Sequence, residues 1–152
     1  MNQEMLYTIE QDAKRLEKTL RELGVFINHN YFRAVKGSHP FIHDPSGLGI
    51  FERRFFFKFY YLVFTTDQLI ILDTVYFEEP IDDHVTKINY SDLEEFALKR
   101  YISNDYIQFN YGNKAYYFYT KYASWVYTIL GETTYSMNYT LLKERNFMGL
   151  IK

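Results

Sequence analysis

The sequence predicts an α+β domain: a strongly curved antiparallel sheet or open barrel with a C-terminal closing helix and an additional N-terminal helix. Three observations carry this. Residues 3–23 repeat apolar side chains at steps of three and four. Between Phe51 and Thr120, aromatic and β-branched runs alternate with short polar turns. From Tyr122 a helical pattern returns and holds to Asn146. A sheet with one apolar face must be covered, and the terminal helices supply the cover.

In the first helix Met5, Leu6, Ile9, Ala13, Leu16, Leu20 and Leu23 form the apolar stripe. Glu10→Lys14 and Glu17→Arg21 are spaced for i,i+4 support, and Gly24 is a stop signal. Val25–Lys36 fits either a short helix or a first strand. Gly37–Gly49 carries Pro40 and Pro45 among glycines and serines and reads as a loop. Phe51–Thr65 is a long strand with Phe59, Tyr61 and Val63 on one face and Tyr60, Leu62 and Phe64 on the other. Thr65–Gln68 turns the chain into a strand over Leu69–Phe77. Glu78–His84 reads as an acidic loop, and Val85–Tyr90 as a short strand. Leu93–Ile102 has helix-favouring residues, but its context among strands makes it a strand.

The sharpest local signal is the hairpin Tyr106–Tyr111, Gly112-Asn113, Lys114–Thr120. A two-residue turn with Gly at its first central position fixes the register. Tyr111 then faces Lys114, Phe109 faces Tyr116, and Ile107 faces Phe118. Ile107, Phe109, Tyr116 and Phe118 share the core side, and Tyr106, Tyr117 and Tyr119 project from the other. Tyr122–Asn146 reads as one closing helix. Val126, Ile129, Leu130, Thr133, Met137 and Leu141 make one stripe; Trp125, Tyr135, Tyr139 and Leu142 make a second. The domain reading is a helical segment over 1–36 packed on a sheet-plus-helix unit over 37–152, one compact unit overall.

At 152 residues the chain is long enough to bury a core. Its 20% aromatic content suits half-buried strands and interfaces. A net charge of −2 provides no general attraction for nucleic acid or anionic lipid. The absence of cysteine excludes disulfides and thiolate metal sites. No apolar run reaches the roughly 20 residues of a membrane-spanning helix, and no cleavable signal opens the chain, so a cytoplasmic location is expected.

The segment Tyr61-Leu62-Val63-Phe64-Thr65-Thr66-Asp67-Gln68-Leu69-Ile70-Ile71-Leu72 joins two apolar strands through a Thr-Asp turn. Ile88-Asn89-Tyr90-Ser91-Asp92-Leu93 has the form Ile-x-Tyr-x-Asp-Leu, and a last hairpin and C-terminal helix follow. In these features the stretch from about Tyr60 to Asn146, somewhat over half the chain, resembles the bacterial pleckstrin-homology-like family. The N-terminal helix and the Pro/Gly loop depart from that family's usual pattern. The resemblance implies a binding platform for proteins, peptides or lipid headgroups rather than one activity. It also implies that basic residues around the first strand loop hold anions. Lys36 before that loop and Arg53 and Arg54 after it stand in comparable places, with Lys58 further on.

The chemistry-bearing residues are sparse. His39 and His43 flank Pro40, which argues against the helical spacing of a preformed metal edge; with Asp44 they read as a polar loop. His84 beside Asp82 and Asp83 reads as an exposed loop histidine. Glu78-Glu79, Asp82-Asp83 and Glu94-Glu95 are adjacent carboxylates, which a strand would point to opposite faces. No nucleophile elbow, phosphate loop or dinucleotide fingerprint is present. These readings call for no catalytic residue, no metal and no cofactor, and they point away from an enzyme. The leading expectation is a non-enzymatic binding or scaffold module for a protein, peptide or anionic headgroup. Its candidate anion site is Lys36, Arg53, Arg54 and Lys58. Its candidate interaction surface is Tyr106, Tyr117, Tyr119, Trp125, Tyr135 and Tyr139. The tyrosines of the hairpin could also stack bases, but the acidic stretch from Asp73 to Glu95 opposes nucleic acid. A homodimer is a further expectation, because two apolar helix stripes, Leu16–Leu20–Leu23 and Trp125–Tyr135–Tyr139–Leu142, could meet symmetry mates as well as each other. The other reading is a ligand-binding or enzymatic cone-shaped α+β domain with an internal pocket.

Overall fold

The computed structural model describes residues 2–37, 39, 59–73, 84–101, 104–120 and 132–152. Helix α1 spans Asn2–Glu22 and stops at Gly24, whose φ of 76° completes the turn that a side chain would strain. Seven strands follow: β1 Tyr31–Gly37, β2 Phe59–Phe64, β3 Gln68–Asp73, β4 Val85–Asn89, β5 Glu94–Tyr101, β6 Asn104–Tyr111 and β7 Lys114–Tyr119. Helix α2 spans Thr134–Glu144, and a short turn over Asn146–Gly149 ends the fold.

The seven strands form one antiparallel sheet in the order β4-β3-β2-β1-β7-β6-β5. The outermost strands, β4 and β5, are consecutive in the chain, joined only through a 3-10 turn at Tyr90–Asp92. Laid flat, six strand spacings would separate them by about 29 Å. Five residue steps from Asn89 to Glu94 reach at most about 18 Å. The sheet therefore curls until its edges approach. The Phe64 ring on β2 meets Phe96 on β5 at 6.2 Å, although four strand spacings separate those strands within the sheet. The face carrying both rings is the concave one.

Strand parity assigns every side chain to a face. Phe32, Ala34, Leu62, Phe64, Leu69, Ile71, Ile88, Ile107, Phe109 and Phe118 fill the concave side and are buried. Tyr31, Tyr61, Val63, Ile70 and Leu72 form the convex side of β1–β3, also buried. Helix α1 lies over this convex side, with Leu16 and Leu20 fully covered. Its carboxylates pin it: Glu17 accepts from the Tyr31 hydroxyl, and Asp12 accepts from Tyr61 at 2.7 Å and faces Arg33 at 3.6 Å.

β1 meets β7 only over Val35–Gly37 and Tyr117–Tyr119. Among the described residues, the first half of β1 has no β7 partner, and α2 packs there. Asn138 donates its side-chain amide to the Tyr31 carbonyl at 3.0 Å, satisfying a buried backbone acceptor at this edge of the contact. From this position α2 reaches both faces. Tyr135 packs against Tyr31 and Tyr61 on the convex side, and Tyr139 packs edge-on to Phe32 on the concave side.

Several expectations need amendment. The helix read over Tyr122–Asn146 does not run through Thr133: that residue is extended and caps α2 reciprocally with Ser136. The sheet includes β1 at its centre, so a division at residue 36 would cut a central strand; the N-terminal segment belongs to the sheet. Leu93–Ile102 does contain a strand, β5, bent by a bulge between Glu94 and Ala97 where Glu95 has φ 53°. The last hairpin has the expected register, Tyr111 with Lys114, Phe109 with Tyr116 and Ile107 with Phe118. Its turn has positive φ at both Gly112 and Asn113, a type I′ geometry matching strand twist.

Candidate functional site

At the end of the sheet where β1 and β3 finish and β2 and β4 begin, the concave face changes character. Aromatic and aliphatic packing gives way to Lys36, Tyr60, Asp73, His84, Thr86 and Tyr116, which line a cavity of about 220 Å³ floored by Ile71, Ile88 and Phe118. One parity rule gathers them. Tyr60 is the cross-strand partner of Asp73, and Ile71 is the partner of Thr86. Lys36 is the partner of Phe118, two residues beyond Tyr116 on the same face of β7.

The Lys36 ammonium lies over two rings, 5.1 Å from the centre of Tyr116 and 5.7 Å from that of Tyr60. Both rings face the cation with their electron-rich surfaces. Across the cavity His84 Nδ1 stands 3.9 Å from an Asp73 carboxylate oxygen, both side chains 13% exposed. That separation is an ion-pair distance when the imidazole is protonated and too long for a hydrogen bond. The cavity thus presents a cation held by aromatic walls, a carboxylate and a titratable imidazole. An oxyanion would meet Lys36 by charge-assisted hydrogen bonds, and a planar body would fit between the tyrosines. Among the described residues, no three His, Asp or Glu side chains come together as a metal set.

The sequence placed only Lys36 of this group. Arg53, Arg54 and Lys58, expected beside it, lie outside the described residues, as do His43 and Asp44. His39 is placed with its ring 5.7 Å from Tyr117. His84 is not the exposed loop residue expected; the antiparallel β3–β4 register carries it opposite Asp73 and shields it. The signal was the pairing of Leu72 with Val85, which puts the next residues out on each strand, Asp73 and His84, on one face.

The expected interaction surface is largely interior. Tyr106 and Tyr119 are buried with Val35 in a separate cluster on the convex side, against which Phe59 and half-buried Tyr117 pack. Burial raises the Tyr106 hydroxyl above its ordinary pKa, with Tyr117 adding to the effect. Tyr135 and Tyr139 are 2% and 3% exposed, because α2 turns them onto β1 and β2 rather than outward. Parts of the two helix stripes are covered within one chain: Leu16, Leu20 and Leu142 are fully buried, whereas Leu23 is half-buried. Trp125 lies outside the described residues.

A comparison with protein-family models gives no match, and a search of curated proteins by sequence gives none. Among solved structures, the chain is similar to the C-terminal domain of an unknown protein from Leishmania infantum, at 12% identity and a TM-score of 0.46. The alignment covers 90% of this chain and 96% of that one.

Proposed function

We propose that the protein is a non-enzymatic binding module, pleckstrin-homology-like in its curled sheet and closing helix, that holds a small anionic group on its concave face. The observation that carries this reading is the Lys36 ammonium set over Tyr60 and Tyr116 at a mixed polar cavity. Convergent polar groups at the mouth of an apolar concavity are the usual form of a ligand site. The cavity volume of about 220 Å³ lies below the 300–1,000 Å³ of drug-sized pockets. The ligand is therefore a compact acid, either free or displayed as the head of a larger partner. A cytoplasmic location and a protein, peptide or headgroup as the bearer of that acid belong to the same proposal.

Titration of the protein with inorganic phosphate, inositol phosphates, citrate and benzoate, read by calorimetry and by amide shifts of β1 and β7, tests it. Lys36→Met keeps the stem and removes the charge. Binding of at least one acid that weakens tenfold or more in the variant supports the proposal. Acid binding indifferent to this substitution, or no acid binding at millimolar concentration, refutes it.

A second reading is favoured by one observation, the convergence of His84 and Asp73 on the same cavity. An imidazole and a carboxylate that face one cavity are groups that general acid–base chemistry can use. Under this reading the concavity is a reaction chamber of a cone-shaped α+β domain. Chemical conversion of a bound acid that His84→Gln abolishes without loss of affinity would select it.

A further inference from the structure

A separate hollow of about 270 Å³ lies on the convex side, where α1, the loop before β1 and the first turn of α2 meet. Glu17, His29 and Tyr31 contribute to its polar lining, and Ile27 and Met137 to its apolar wall. It shares no lining residue with the anion cavity.

Asn138 settles the state of the imidazole. Its amide nitrogen is committed to the Tyr31 carbonyl at 3.0 Å, so its oxygen is the atom facing His29 Nδ1 at 3.1 Å. Nδ1 therefore carries the proton, and Nε2 of the neutral ring is an acceptor. Among the described residues Nε2 has no protein partner. His29 also sits at φ 50°, in the left-handed region that a residue with a side chain keeps only where its surroundings hold it. They do so here: the Arg145 guanidinium donates to the carbonyls of Asn28 and His29 at 3.2 and 3.0 Å. Backbone held in this way clusters at ligand sites.

The carboxylate is fixed from below. Tyr31, 1% exposed, donates its hydroxyl to Glu17 Oε1. Burial, and then the bond to Glu17, raise the pKa of this phenol, so it stays a donor. The other oxygen, Oε2, is met at 3.3 Å by Arg21, whose side chain is 65% exposed. An exposed i,i+4 pair of this kind is weak. Arg21 thus shows that a cation reaches Oε2 from the solvent side. Glu10 adds negative charge near Tyr31, while its own oxygens accept from the Thr134 amide and hydroxyl at 2.8 and 2.5 Å.

We propose that this hollow binds a primary ammonium group carried on a short apolar stem. Glu17 Oε2 and His29 Nε2 accept its N–H donors, and the stem lies against Ile27 and Met137. An ammonium brings three donors and no acceptor, which matches two acceptors at one hollow, and the carboxylate bond is charge-assisted. A metal ion is the poorer occupant. Among the described residues no three His, Asp or Glu side chains converge, and His29 with Glu17 alone would leave such an ion half-coordinated. The site stands apart from the anion cavity, and either can fail without the other.

Calorimetric titration of the 152-residue chain tests the proposal. Cadaverine presents the ammonium as a free amine, a capped peptide with one lysine presents it on a partner, and pentanediol keeps the stem without the charge. Saturable binding of cadaverine or the peptide at millimolar concentration or below is expected, with none of pentanediol; the tighter of the two identifies the source. Glu17→Gln, which can still accept from Tyr31, should weaken binding by about tenfold or more. His29→Asn suits left-handed backbone and removes Nε2, and should also weaken it. Arg21→Ala removes the competing cation and should strengthen it, a gain that a purely structural role for Glu17 would not produce. Circular dichroism identifies the folded variants, and if Glu17→Gln unfolds, His29→Asn and Arg21→Ala decide. No binding of either amine overturns the proposal. So does binding that pentanediol reproduces, or binding that the folded variants leave unchanged.

Discussion

The hydroxyl of Tyr135 on α2 donates to the Asp12 carboxylate on α1 at 2.6 Å. Tyr61 on β2 donates to the same carboxylate, and Arg33 on β1 faces it at 3.6 Å. One side chain thus ties both helices to the centre of the sheet. Tyr61 and Tyr135 are 1% and 2% exposed, so their hydroxyls have little access to water if the acceptor is removed. Asp12→Ala should therefore cost about 2–4 kcal/mol in urea unfolding, because it strands two phenols rather than merely deleting one bond. Tyr135→Phe should cost about 1 kcal/mol, and the pair should be non-additive. An additive double mutant would show that Asp12 does not couple the layers.

The same phenols make the fold sensitive to alkali. Burial raises the pKa of Tyr31, Tyr90, Tyr135 and Tyr139, and neighbouring carboxylates add to this at all four: Glu17 and Glu10 at Tyr31, Asp67 at Tyr90, Asp12 at Tyr135 and Asp105 at Tyr139. A phenol raised in the native state keeps its proton at pH values where the unfolded chain, with its ordinary value near 10, has lost it. There the unfolded state binds fewer protons, so stability falls as pH rises. The contribution is complete below about pH 10 and is lost progressively above it. Denaturant midpoints measured from about pH 9 to pH 11 should decline. Tyrosinate absorbance from these residues should appear together with unfolding, not before it.

Asn138 carries the junction between α2 and β1. It is fully buried, its amide nitrogen bonds the Tyr31 carbonyl, and its oxygen faces His29 Nδ1 at 3.1 Å. That orientation puts the imidazole proton on Nδ1. Asn138→Ala leaves the Tyr31 carbonyl without its side-chain partner and should cost about 2 kcal/mol. Asn138→Asp should cost more, since a carboxylate oxygen then opposes the carbonyl. Hydrogen exchange in β1 should accelerate in both variants, and an unchanged β1 would count against this role for Asn138.

What the sequence revealed follows from the range of each signal. The β6–β7 hairpin was legible to the individual residue pair because a two-residue turn permits one register. β5 was legible against its own helix propensity because it sits among strands. The start of α2 was not. Thr133 and Ser136 leave the helical periodicity intact, and their capping box lacks the Glu or Gln that usually marks one. Tyr135 and Tyr139 were assigned outward because the seat of α2 against β1 is a property of tertiary packing, which helical periodicity does not carry. The cavity was legible only at Lys36. Asp73 and His84 are eleven positions apart across an acidic segment, and only the β3–β4 register makes them neighbours.

The chain closes on a feature no periodicity would show. Asn146, Phe147 and Met148 have φ of 53°, 49° and 60°, and Gly149 follows at 86°. Four successive residues in the left-handed region form a single left-handed turn, which costs about 1–2 kcal/mol for each residue with a side chain. The compensation is Phe147. It is fully buried and meets the rings of Phe32, Phe64, Phe96 and Tyr139 at centroid separations of 5.3–6.4 Å, filling the middle of the curled sheet. Phe147→Ala should cost about 3–5 kcal/mol, a large fraction of the stability of an ordinary domain, and should loosen the contact between β2 and β5. Gly149→Ala meets open space and should cost about 1–2 kcal/mol through backbone strain alone. Asn146→Gly, at an exposed position, should be neutral or stabilising. If Gly149→Ala and Asn146→Gly both leave the urea midpoint unchanged, the turn is not left-handed in solution. If Phe147→Ala is equally mild, the ring does not hold the sheet closed.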